Sequence, residues 1–114
     1  MDGVTDALRT ELSRIADGGS PAADHARAAL ADGPMRERLR SAIRALAVHR
    51  GPSSSTCPSD AARAVGGEHW RDRMDDARAA ARDLARQGEV EITQRGEVLD
   101  PDADWRGPIR IRAR

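Results

Sequence analysis

The stretch Asp75-Asp76-Ala77-Arg78-Ala79-Ala80-Ala81-Arg82-Asp83-Leu84-Ala85-Arg86-Gln87-Gly88-Glu89-Val90-Glu91-Ile92-Thr93-Gln94-Arg95-Gly96 decides the fold. Its first half is rich in Ala, the strongest helix former, and stops at Gly88. Its second half alternates, with Val90 and Ile92 on one face, as a half-buried strand does. Gln94-Arg95-Gly96 turns the chain, and Glu97-Val98-Leu99 returns. A helix that runs directly into a β-hairpin is the second half of a winged helix-turn-helix.

Upstream, Cys57-Pro58-Ser59-Asp60 opens a short helix. Pro58 suits the first helical position, and Asp60 favours an N-terminus through the helix dipole. Gly66-Gly67 stops it. Between Glu68 and Gln87 two readings stand. One is a single long helix with Trp70, Met74, Ala77, Ala81 and Leu84 inward. The other breaks near Met74, with Asp75 as N-cap of a helix over 76–87 and Trp70 plugging the corner. The second gives a proper helix-turn-helix and is preferred. Ser53 to Thr56 is the place for a very short strand, although its β signal is weak.

Further out, Met35, Leu39, Ile43 and Leu46 line one face of a helix that Pro34 opens and Gly51-Pro52 closes. Val4, Leu8, Leu12 and Ile15 line another, closed by Gly18-Gly19. Ser20-Pro21 reads as N-cap and first residue of an Ala-rich helix to about Asp32. Its one large apolar residue is Leu30, so it buries little and is expected to be marginal. Downstream, Asp100 to Asp104 is a loop. Gly107 to Arg112 alternates again, with Ile109 and Ile111 inward, as a third strand or a continuation of the hairpin after a bulge. The expected fold is a small α/β (α+β) winged helix-turn-helix at residues 35–114. It has a β-hairpin or three-stranded antiparallel sheet and a helical N-terminal extension at 1–34.

Composition narrows the function. The chain has 114 residues, two Trp, no Phe and no Tyr, so its core is thin. Readers of single-stranded nucleic acid stack bases on aromatic platforms and are disfavoured. All 19 basic residues are Arg, and the formal net charge is zero. GC-rich codon usage explains the Arg excess first. The charge is uneven: residues 1–34 carry net −3, and the remainder +3. A basic domain behind an acidic arm is compatible with nucleic acid. The one cysteine, Cys57, excludes an intrachain disulfide. No apolar run is long enough to span a bilayer. The acidic start, Met1 to Asp6, lacks a signal peptide's pattern. A cytoplasmic protein without membrane or cofactor is expected.

Arg78, Arg82 and Arg86 recur every four residues and form one helical stripe. In a winged helix this stripe enters the major groove, Arg95 sits at the wing tip, and Arg71 follows Trp70. These five are the candidate nucleic-acid contacts, with duplex DNA as partner. The plainer reading of the stripe is a solvated face with Asp75–Arg78 and Asp83–Arg86 pairs. Asp60–Arg63 reads as another such pair, with Arg110 on the solvent side or paired to Asp60. Trp70 reads as a packing anchor. A Cys57 nucleophile with His49 or His69 has no third orienting group and no oxyanion loop. His25, His49, Cys57 and His69 lack the paired spacing of a zinc site. No catalytic, metal or cofactor residue is assigned. The rival to DNA binding is an interaction module, with a homodimer or partner held through the N-terminal helices.

Cys57-Pro58-Ser59-Asp60-Ala61-Ala62-Arg63-Ala64-Val65, Trp70-Arg71, Ala77-Arg78-Ala79-Ala80, Gly88, Ile92-Thr93-Gln94-Arg95-Gly96, Asp100-Pro101 and Gly107-Pro108-Ile109-Arg110-Ile111-Arg112 together resemble a small bacterial family. It is known as domain of unknown function 3253, and the resemblance covers roughly residues 36–112. It implies a winged-helix fold and brings no activity, cofactor or catalytic residue. Family members often have Pro where this chain has Asp75.

Overall fold

The computed structural model describes residues 3–114; Met1 and Asp2, the start of the acidic N-terminal stretch, lie outside the described residues. Helices α1 (Gly3–Asp17), α2 (Ala23–Leu30), α3 (Met35–Arg50), α4 (Pro58–Gly66) and α5 (Met74–Arg86) precede strands β1 (Val90–Gln94), β2 (Glu97–Val98) and β3 (Arg110–Ala113). A 3-10 segment, Gly67–Arg73, joins α4 to α5. The class is α+β, with a three-stranded antiparallel sheet ordered β2-β1-β3.

The fully buried Leu39, Ile43 and Leu46 put α3 at the centre. It packs against α2, α4, α5 and β3. Leu8, Leu12 and Ile15 of α1 are buried within this chain and belong to the same apolar cluster as the α5 and sheet residues. Val4, expected on that face, is exposed. Helix α2 begins later than expected. Ser20 and Pro21 form a turn in which the Ser20 carbonyl accepts the Ala23 N–H, so Pro21 precedes the helix. The helix ends at Leu30 because Ala31 is extended. It buries more than expected and packs closely on α3, since Ala22 just before it and Ala26 and Ala29 within it are wholly buried. Arg38 Nε also donates to the Ala29 carbonyl at 2.9 Å, satisfying one of the helix's terminal acceptors.

Three arginines one turn apart on α3 reach acids on the next layer. Arg36 meets Asp76 at 3.1 Å, Arg40 meets Asp83 at 3.1 Å, and Arg44 meets Glu89 at 2.8 Å. The hydrogen bonds from Arg44 hold the Glu89 carboxyl below its ordinary range. A second junction forms where α1, α3 and α4 meet. Arg50 bonds Glu11 at 2.7 Å, Asp60 at 3.0 Å and the Ser55 carbonyl at 3.1 Å. Hydrogen bonding to Glu11 comes first among the causes that raise the Arg50 pKa. Asp60 therefore pairs with Arg50 and with Thr56 Oγ1, at 2.8 Å, instead of the expected Arg63.

The chain does break between α4 and α5, and His69 there has non-helical angles (φ −99°, ψ 22°). Helix α5 starts at Met74, so Asp75 lies in its first turn and is no N-cap. The hairpin turn has positive φ at both central residues, Arg95 (53°) and Gly96 (84°), the pattern that matches the twist of paired strands. β3 pairs with β1 on the side away from β2, with Ile92 opposite Ile111. The short strand expected before α4 is a single bridge residue: Thr56 exchanges two main-chain hydrogen bonds with Ile111, of 2.7 and 2.8 Å.

Candidate functional site

Arg78, Arg82 and Arg86 do share one face of α5, and that face is covered by the chain between β2 and β3. Arg78 donates to the carbonyls of Trp105 (3.1 Å) and Gly107 (3.3 Å). Arg82 donates to Ala103 (2.8 Å) and Pro101. Arg86 pairs with Asp102 at 2.6 Å and with Asp83 at 3.6 Å. The expected Asp83–Arg86 pair forms, whereas Arg78 turns to the carbonyls instead of Asp75. The loop is closed on itself by Trp105, whose indole N–H donates to the Asp100 carbonyl at 2.9 Å. Trp105 is 7% exposed, and the Arg82 guanidinium lies 4.1 Å from its ring centroid. Carbonyl acceptors satisfy the N–H groups without cancelling charge. Asp100, Asp102 and Asp104 in the same loop supply the nearby negative charge.

The other two candidates stand on different elements. Arg95 is exposed at the hairpin tip. Arg71 lies on the 3-10 segment with its guanidinium 4.5 Å from the Trp70 ring centroid. Arg63 of α4 approaches the same ring at 4.3 Å. Trp70 is half-buried and packs against the core, as a packing anchor would, but it keeps an open side. Arg110 takes the solvent side and donates to Ser55, Nε to Oγ at 2.9 Å.

Sequence reasoning did not find the groove that opens beside Trp70. It has a volume of about 480 Å3. Its floor and walls include Cys57, Pro58, Trp70, Met74, Pro108 and Ile109, and its charged lining residues are Arg78 and Arg110. It lies where the start of α4, the α4–α5 break and the approach to β3 converge. Cys57 Sγ lies 3.0 Å from Ser59 Oγ within it. One signal lies in the sequence: Cys57-Pro58, Trp70 and Gly107-Pro108-Ile109-Arg110 all belong to the motifs that carry the family resemblance, although nothing in their spacing shows that they meet. The groove is mostly apolar with cationic groups at its edge. It can hold an apolar side chain and hydrogen-bond an anion. Among the described residues, no three of His, Cys, Asp and Glu are grouped to hold a metal ion. Nor is any helix among them long and apolar enough to cross a membrane.

The fold and this groove lie mainly within one matched region. A family model described as "Protein of unknown function (DUF3253)" matches residues 36–114. That is more than half of the chain, and the chain belongs to this family. Helices α1 and α2 precede the match. No curated protein matches the sequence.

Proposed function

We propose that this protein is a non-catalytic, cytoplasmic interaction module on a winged-helix frame, binding a partner protein through the groove at Trp70. In this reading α3, the Thr56 bridge, α4 and α5 supply the helix-turn-helix, and the sheet supplies the wing. The observation that carries it is the engagement of Arg78, Arg82 and Arg86 by the loop from Pro101 to Gly107. A helix whose arginine face is covered by a loop of its own chain is shielded from a major groove, while Arg78 at the edge of that face still lines the groove beside Trp70. The half-buried Trp70 and Met74 remain open, and Trp and Arg are the residue types that most often dominate interfaces. The N-terminal helices offer less for a homodimer, because Leu8, Leu12 and Ile15 are spent inside the chain. A photo-crosslinking residue at position 74 or 108, set against one at position 14, tests the proposal in cells. Protein adducts specific to the first two are expected. Nucleic-acid adducts, or none, would sink it.

Duplex-DNA binding is the second reading. It draws on the uncancelled charge of Arg78 and Arg82 and on Arg95, exposed at the tip. Titration with mixed-sequence duplex at low and high salt tests it. Binding that weakens steeply with salt is required.

A further inference from the structure

We propose that the groove beside Trp70 accepts a short acidic segment of another protein that carries one large aliphatic side chain. The aliphatic group would sit among Trp70, Met74 and Pro108, and the flanking carboxylates would meet Arg78 and Arg110. This inference rests on the interaction reading above and adds the partner's chemistry.

Charge carries the argument. Among the described residues, both charged ones that line the groove are arginines, and none is an acid. Their acceptors within the chain are neutral: carbonyls of Trp105 and Gly107 for Arg78, and the hydroxyl and carbonyl of Ser55 for Arg110. Each guanidinium therefore keeps its full charge. Each also has five N–H donors, more than these contacts use. Asp72 and Asp75 flank Met74 in sequence but do not line the groove. Asp60, the acid of the α4 start, is taken by Arg50.

Shape and apolar chemistry narrow the occupant. A groove of about 480 Å3 holds a large side chain and the backbone around it, not a helix or a duplex. Its apolar lining gains nothing from a bare phosphate or a carboxylate alone. Met74 offers an unbranched, adaptable side chain suited to a varied aliphatic anchor. An anion bound here also relieves the mutual repulsion of neighbouring guanidiniums, so the acidic and apolar elements reinforce each other.

The test is fluorescence anisotropy with the full chain and three labelled peptide pools, randomised outside a fixed core. The cores are Glu-Glu-Leu-Glu-Glu, its Ala-centred version and Lys-Lys-Leu-Lys-Lys. The first should bind at least tenfold more tightly than the second, and the third should not bind. Arg110 is exposed, so Arg110→Glu should leave thermal unfolding unchanged, abolish binding of the acidic pool and admit the Lys pool. Met74→Ala should weaken the acidic pool at least tenfold and serves if Arg110→Glu misfolds. Equal binding of the first two pools, an unaltered Arg110→Glu variant, or tighter binding of a single-stranded oligonucleotide of equal charge would overturn the proposal. Position-74 protein adducts in cells without pool discrimination would remove this partner chemistry and leave the interaction module standing. Loss of both would remove both.

Discussion

The two tryptophans sit in matching company and do opposite work. Each has two guanidiniums near its ring: Arg63 and Arg71 for Trp70, Arg78 and Arg82 for Trp105. Trp105 is buried, its N–H is bonded, and its arginines continue past the ring to backbone carbonyls. Trp70 is half-buried and borders a groove. A cation beside an indole is thus no sign of function by itself. What separates the two sites is how far the ring is buried and what its two guanidiniums hold in place. At Trp105 they fasten a loop without secondary structure to α5. At Trp70 they flank a ring that is half-buried and borders a groove.

The sharpest way to break this contrast is Trp105→Ala. It should lower unfolding stability in urea by about 3–5 kcal/mol, as for other large buried aromatics. A loss below that of Trp70→Ala would reverse the assignment. Arg82→Gln should cost about 2 kcal/mol, since it removes charge-assisted bonds to two carbonyls and a contact with a buried ring. Trp70→Ala should cost about 1–2 kcal/mol, in line with partial burial, yet abolish binding of the acidic peptide pool. Anisotropy and melting together separate those effects. Arg95→Asn touches neither tryptophan. It should raise stability by about 0.5 kcal/mol, because Asn accepts positive φ more readily.

The smallest effect is expected at Glu89, also remote from both rings. Its folded pKa is depressed by Arg44, so the Arg44–Glu89 contact stabilises above the unfolded carboxyl's ordinary value. That contribution is lost as pH falls through the folded value. Glu89→Gln should cost a few tenths of a kcal/mol at pH 7 and nothing once wild-type Glu89 is protonated. Parallel acid titrations of the two proteins, followed by melting, should converge there.

Sequence periodicity revealed most of the frame. The apolar spacing of Leu39, Ile43 and Leu46 and the alternation of Val90 and Ile92 map directly onto buried faces. Even the single-residue bridge at Thr56 had a signal in the hydroxyl run before it. The partners of the arginines were less legible. A four-residue repeat places Arg78, Arg82 and Arg86 on one side of α5, but it cannot say that Pro101 to Gly107 folds over them. That contact depends on Trp105, an isolated residue with no periodic neighbour to mark it as buried. The groove was hidden for the same reason. Cys57, Trp70 and Pro108 lie far apart in the chain, and only the break after α4 and the return of β3 bring them together.

The junction at Arg50 has a consequence for how this chain can be divided. One guanidinium clasps an acid on α1, another on α4 and the carbonyl just ahead of Thr56. Truncation to the family-matched region would strip Glu11 from that cation and uncover the α4 side chains on which α1 rests. A shortened version should therefore be insoluble or molten unless something else shields that seam. Any relative that dispenses with α1 and α2 must re-engineer position 50 and the outward side of α4.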